Sequence, residues 1–252
     1  SQFEMRNEVN LLMREGKKIY LKEFLMKSQR NLADYFFKMN YIDDPSEIIF
    51  KGIFINEICE NITPKINGIV TKKDKIFFSY EIEQELYQKS KFSKDECYKC
   101  GRFVGMVHSH KFSYFGNLYN FRLDNSNFEQ YFNQIYSFCL ENKMIHNSQI
   151  NPFLSEKYGT KISKFGFKYS TLVSLNPACE DILFDRNGNI FGYKFVDKIV
   201  LAFPELELLS WKSELGTDFK YFIEGYKQYS NYDGKDDDIV SIICDAMNLC
   251  CR

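Results

Sequence analysis

Two strand–turn–strand patterns bracket a helical stretch in residues 9–84, and beyond them the chain turns helical. That segregation constrains the fold most. Val9-Asn-Leu-Leu-Met-Arg14, the turn Glu15-Gly16-Lys17 and Lys18-Ile-Tyr-Leu-Lys-Glu-Phe24 read as a hairpin, because apolar residues flank a glycine-containing turn. Ser28–Met39 is helical in character. Asp43-Asp-Pro-Ser-Glu47 starts a second helix with an acidic, proline-containing first turn, and the apolar periodicity runs to about Asn61 before Pro64 stops it. Lys65-Ile-Asn-Gly-Ile-Val-Thr71 and Lys75-Ile-Phe-Phe-Ser-Tyr-Glu-Ile82 form a second strand pair. Helical patterns then cover 94–111, 127–141, 205–215, 218–229 and 239–248, interrupted by a hairpin-like segment over 172–197. On the fourth of the seven helical stretches so read, Phe128, Phe132, Ile135, Phe138 and Cys139 share one face. Strands gathered at one end and helices at the other predict an α+β chain, with a β-rich part over 1–84 and a helical part over 85–252.

Composition narrows the partners. The net charge is −1, so no overall field favours nucleic acid or an anionic membrane. No apolar run approaches the roughly 20 residues of a membrane-spanning helix. The N-terminal Ser-Gln-Phe-Glu-Met-Arg lacks the pattern of a secretory signal. Those observations lead to an expected cytoplasmic protein with reduced thiols. Cys97-Tyr-Lys-Cys100 has zinc-ligand spacing, but no second Cys/His pair accompanies it, so packing and surface thiols are expected there. The abundance of Phe (25) and Tyr (17) beside a single Trp reads as compositional bias, not as base stacking.

The stretch Leu172-Val-Ser-Leu-Asn-Pro-Ala-Cys-Glu-Asp-Ile-Leu-Phe-Asp185, followed by Arg-Asn-Gly and by Lys194-Phe-Val-Asp197, carries the candidate chemistry. On residue types alone, Asp181, Asp185 and Asp197 could carry a metal with Glu180 as a base. Against that, Asp185 before Arg-Asn-Gly fits a hairpin turn. Glu205, Glu207 and the acidic run Asp233–Asp238 read as solvated acids, the sharper alternative being attraction of a cationic substrate such as an aminosugar.

In the aminoglycoside-phosphotransferase and choline-kinase branch of the protein-kinase-like fold, a strand runs into His-Gly-Asp, and an Asn follows five residues after the Asp. A second apolar strand ends in Asp. The stretch above resembles that cadence. Gly101-Arg-Phe-Val-Gly-Met-Val-His108-Ser is similar to that family's Gly-Arg-x-Leu-Ala-x-Leu-His-Ser helix, Phe115-Gly116 to the Phe-Gly that follows it, and Pro204-Glu-Leu-Glu207-Leu to its Asp-Pro-x-x-Asp-Leu segment. The resemblance spans nearly the whole chain and implies a bilobal fold, with a small antiparallel-sheet lobe and a larger, mostly helical one.

It also implies roles. Lys22 falls where a strand lysine contacts the α/β-phosphates of ATP. The acid on the next helix that would pair with it is Glu57, with Glu47 second. Phe77–Glu83 falls at the connection between lobes, where the backbone of Tyr80, Glu81 and Ile82 would meet an adenine. Asp181 and Asp197 fall where Mg²⁺ is held. Asn176 stands in the place of the catalytic Asp, and Ser174 in that of the His. An amide cannot take a proton from a substrate hydroxyl at neutral pH, and a general base contributes about 10²–10⁴ in rate. The expectation is therefore a kinase-like protein impaired in catalysis, acting through nucleotide or small-ligand binding or through a protein partner. The alternatives are an atypical but active ATP-dependent phosphotransferase relying on Asp181 and Asp197 for metal, and an interaction protein that binds no nucleotide.

Overall fold

The computed structural model describes residues 9–14, 17–23, 32–39, 44–60, 62–72, 75–82, 84–142 and 165–247, with backbone alone at 9–23, 72, 75, 81 and 140. Its first sheet is antiparallel, in the order β1 (Val9–Arg14), β2 (Lys17–Glu23), β4 (Lys75–Glu81), β3 (Lys65–Lys72). The β1–β2 register runs from Val9 opposite Lys22 to Arg14 opposite Lys17, as the glycine turn predicts. Between β2 and β3 the chain forms α1 (Leu32–Phe36) and α2 (Ser46–Ile58). At the start of α2 the Asp44 carboxylate accepts the Ser46 N–H at 3.1 Å, so the acidic entry turn meets a donor that the helix leaves open.

The connection to the helical part runs from Ile82 to Leu86. The predicted connecting segment began too early, because Phe77–Glu81 is still inside β4. Ile82 and Leu86 are buried with Leu183, so the crossing is pinned by apolar contact. A second pin is polar. The Tyr193 N–H donates to Ile62 O at 2.7 Å, and Gly192 lets those two backbones approach, since a Cβ there would overlap Ile62.

The helical part contains α3 (Lys94–His108), α4 (Phe128–Glu141), α5 (Glu205–Leu215), α6 (Phe219–Tyr226) and α7 (Asp237–Ala246). Helix α3 begins in a capping box, with Ser93 Oγ accepting the Glu96 N–H and Glu96 Oε2 accepting the Ser93 N–H. Helices α3 and α6 cross so closely that only glycine fits at the contact. A Cβ on Gly101 would overlap the Phe222 carbonyl, and one on Gly225 the Tyr98 carbonyl. Gly101, shared with the resembled motif, thus serves helix packing, as does Gly105, where that motif has Ala and a Cβ would overlap the Tyr226 carbonyl.

The helical part holds more strand than its sequence indicated. Short strands β5 (Tyr87–Gln88), β9 (Ile182–Phe184) and β10 (Ile190–Tyr193) form one sheet, in the order β10-β9-β5. Strands β6 (Tyr114–Gly116), β7 (Arg122–Asp124), β8 (Thr171–Ser174) and β11 (Ile199–Ala202) form another, in the order β7-β6-β11-β8. So 172–197 is not one hairpin. Only β9 and β10 form a hairpin, and β8 pairs instead with β11.

An aromatic core joins these layers. Phe128 on α4 packs against Phe36, Phe115, Phe132, Phe167 and Phe203 at centroid distances between 5.1 and 5.7 Å. Phe138, placed on the buried face of α4 by periodicity, is instead 46% exposed.

Candidate functional site

The antiparallel ladder between β8 and β11 assembles the site. Ser174 lies opposite Ile199, and one step further the Leu175 N–H donates to Lys198 O at 2.9 Å. That pairing brings the loop at Asn176 beside Asp197–Lys198, which 20 intervening residues of sequence would otherwise keep apart. Asn176 has φ of +50°, in the left-handed region, where Asn and Asp are the non-glycine residues best tolerated. The conformation thus accounts for a short polar residue here, and it suits Asp as well as Asn.

Behind the loop lies a buried carboxylate. Glu207, on α5, is fully buried and accepts four hydrogen bonds. Ser174 N–H donates to Oε2 at 2.8 Å, and His108 Nε2 meets the same oxygen at 3.2 Å. Tyr193 Oη and Trp211 Nε1 donate to Oε1 at 2.8 and 3.0 Å. His108 Nδ1 in turn meets Tyr226 Oη at 3.0 Å. Glu207 is therefore the anchor of the loop backbone and not, as one reading of the acidic residues had it, a solvent-facing attractor of cations. Burial, with the Glu207 charge beside it, pushes the Tyr193 hydroxyl pKa well up and keeps it a donor. The sequence signal for this network was the similarity of Gly101–Ser109 and Pro204–Leu208 to family segments. Neither segment gave the partners.

Asp181 closes a short 3₁₀ turn over Cys179–Asp181. Its Oδ2 accepts the Ala178 N–H at 2.9 Å and faces Lys198 Nζ at 3.3 Å. Asp197 stands on the other side of Lys198 in the chain. Its Oδ1 is buried and has no hydrogen-bond partner among the described residues. Beside it is Lys51, on α2, entirely buried. The Lys51 ammonium lies 3.4 Å from Asp197 O and 3.7 Å from Glu47 Oε1. Burial lowers the Lys51 pKa, and the charges of Glu47, Asp197 and Asp34 oppose that fall. Nothing in sequence singled Lys51 out, since a lysine four residues after a glutamate on a helix ordinarily reads as a surface pair.

The other predicted site residues distribute as follows. Lys22 is opposite Phe78 in the interior of the first sheet, and its side chain lies outside the described part. Glu57, the first choice of acid on the helix, is exposed, and it sits ten residues beyond Glu47 on a helix that rises about 1.5 Å per residue. The structure therefore does not bring Glu57 to Asp197. Glu47, the second choice, is buried beside Lys51, and which acid meets Lys22 lies outside the described side chains. Tyr80 is buried at 6.0 Å from the Phe195 ring, its pKa raised by burial and by Asp197. The Glu81 backbone pairs with Ile19 and Lys65, and Ile82 begins the connection. Asp185 takes the turn role, its Oδ1 accepting the Asn187 and Asn189 N–H groups at 2.9 and 2.8 Å.

Among the described residues no three His, Cys, Asp or Glu side chains converge as a metal site. Cys97 and Cys100 are both buried, so the expected surface thiols are core residues instead. Cys250 and Cys251 lie outside the described residues. No described helix is long and apolar enough to cross a membrane.

No family model matches the chain, and no curated protein matches it in sequence. Its fold, however, is that of solved phosphotransferases. A macrolide 2′-phosphotransferase from Brachybacterium faecium superposes over 98% of this chain and 82% of its own, with TM-score 0.59 at 10% identity. A choline kinase from Streptococcus pneumoniae does so over 98% and 81%, with TM-score 0.57 at 11% identity. A Haemophilus somnus protein assigned as a fructosamine-3-kinase reaches TM-score 0.62 over 96% and 81%, at 14% identity. The chain therefore has the bilobal protein-kinase-like fold of these enzymes, as the resemblance implied.

Proposed function

We propose that this chain is a catalytically impaired kinase-like protein that binds a nucleotide between its first sheet and the loops bearing Asn176 and Asp197. The observation that carries this reading is Asn176 itself. The loop is still held by Glu207 and still lies beside Asp197, yet its tip presents an amide. Phosphoryl transfer asks the protein for positioning, charge and a group that accepts or steers the hydroxyl proton. Asn176 can hydrogen-bond a hydroxyl, but it cannot take its proton. Ile82, the first residue past β4, offers backbone groups for an adenine edge, and the rings of Tyr80 and Phe195 pack 6.0 Å apart. The solved neighbours are named for macrolide and choline phosphorylation, which favours ATP and a small molecule as the ligands here. The biological output is that of a scaffold or regulator, with a protein partner reading the bound state in a cytoplasmic setting.

Mg²⁺, which the family resemblance implies, is met only halfway. Asp197 suits a hard cation, because one buried oxygen has no donor among the described residues. Asp181 does not suit it, because its Oδ2 already holds the Ala178 N–H and the Lys198 ammonium. A divalent ion shared by both acids does not fit this arrangement.

The test is thermal unfolding with ATP in a magnesium buffer. At about 100 times its dissociation constant ATP adds roughly 2.7 kcal/mol, a rise on the order of 5–10 °C for a chain of this size. Asp197→Ala is expected to change that rise markedly. Absence of any rise would sink the nucleotide reading and leave a kinase-shaped protein with another ligand.

A further inference from the structure

Of the two acids assigned to metal by family resemblance, Asp181 already faces a lysine of this chain with its carboxylate, and Asp197 meets one at its main-chain carbonyl. Lys198 Nζ lies 3.3 Å from Asp181 Oδ2. Lys51 Nζ lies 3.4 Å from Asp197 O and within the field of its carboxylate. The two lysines come from different elements. Lys51 is on α2, packed from the sheet side, and Lys198 is at the mouth of β11 on the loop side. They also differ in access. Lys51 is fully buried, whereas the Lys198 side chain is 47% exposed and can reach an incoming ligand. The Ala178 N–H pins Asp181 in the orientation that meets Lys198, so the pair is held by more than two flexible side chains.

We propose that Lys198 takes the place of a divalent ion in this cleft, so that polyphosphate binds here without metal. The proposal rests on the nucleotide reading above and specifies its counter-ion. Three physical points support it. A lysine ammonium is a compact point charge with three donors and suits phosphate oxygens. It brings one positive charge where a divalent ion brings two, and Lys51 offsets the Asp197 carboxylate that would otherwise repel the phosphates. Asp181 in place of the neutral Asn of the resembled pattern holds the Lys198 ammonium at the loop through one of its three donors, leaving two for a ligand. Site and counter-ion therefore differ together from that pattern. Lys51, being buried, acts on Asp197 and positions it, whereas Lys198 touches the ligand.

The experiment uses the full chain and ATP. Calorimetric titration is run in EDTA and in Mg²⁺, for the wild type and for Lys198→Ala. The wild type is expected to bind ATP in EDTA within about threefold of its affinity in Mg²⁺. In Lys198→Ala, binding in EDTA is expected to weaken by about tenfold or more, the size of one charge-assisted hydrogen bond. Binding in Mg²⁺ should be largely retained, since Asp181 is then released to a cation. Lys198 is half exposed, so the variant's unfolding midpoint without ligand serves as the folding control. If the wild type binds ATP only with Mg²⁺, the inference is overturned and the nucleotide reading stands. If Lys198→Ala binds as the wild type does in EDTA, the role of Lys198 is overturned. If ATP binds under neither condition, the nucleotide reading fails and the inference fails with it.

Discussion

Two regions within one loop's reach differ sharply. At the base, Glu207 gathers donors from Ser174, Tyr193, Trp211 and His108, which come from β8, β10, α5 and α3. At the tip, Asn176 sits at φ +50° and Asp181 holds the Ala178 N–H and faces Lys198. The base is a closed account of hydrogen bonds in a dry interior, where leaving one donor unmatched costs about 1–3 kcal/mol. The tip is partly open to water and sits in a conformation that Asn and Asp share, so a change there costs the fold little. Stability holds the base fixed, while only chemistry holds the tip.

That contrast can be broken most decisively at the base. Glu207→Gln keeps the shape but turns one acceptor oxygen into a donor facing donors. The expected loss is about 3–5 kcal/mol, much of a domain's usual margin of roughly 5–15 kcal/mol. Chemical denaturation measures it, and a variant as stable as the wild type would show that Glu207 is no anchor. A smaller effect is expected at the α3–α6 crossing. Gly101→Ala places a methyl inside the Phe222 carbonyl, and overpacking of this kind costs about 1–3 kcal/mol. A midpoint unchanged by that variant would mean that the helices can move apart freely. The smallest stability effect belongs to the tip. Asn176→Asp should shift stability by less than about 0.5 kcal/mol, as a surface substitution does. It should also raise ATP turnover by about 10²-fold, the lower end of what a general base supplies. Stability falling while turnover stays flat would reverse the contrast and put the fold's constraint at the tip.

The sequence made the long elements legible. The hairpins β1–β2 and β3–β4 and helices α2, α3 and α5 announce themselves through glycine turns, caps and periodicity, and each spans enough residues to carry a period. Strands of two to four residues carry none, and so β5, β6, β7 and β11 went unread. Their existence depends on partners far away in the chain. Asn176 and Asp197 were legible as candidates because the family cadence passes through them. Lys51 and Lys198 were not, because a lysine's burial or pairing is decided by what packs over it. That Glu47 is buried and Glu57 exposed was hidden for the same reason, since which face of α2 is covered is a tertiary fact.

The buried thiols have a consequence for handling this protein. Cys59, Cys97, Cys100, Cys139, Cys179 and Cys244 are all free and all in the interior. Burial raises Cys59 and Cys97 to about 11 and Cys179 to about 12, so almost none of these is thiolate at neutral pH. A thiol reagent must therefore wait for the fold to breathe. The rate at which each of these six sulfurs is modified becomes a clock for the local opening of its own layer, and a chain unfolded without reductant exposes all eight cysteines of the sequence at once.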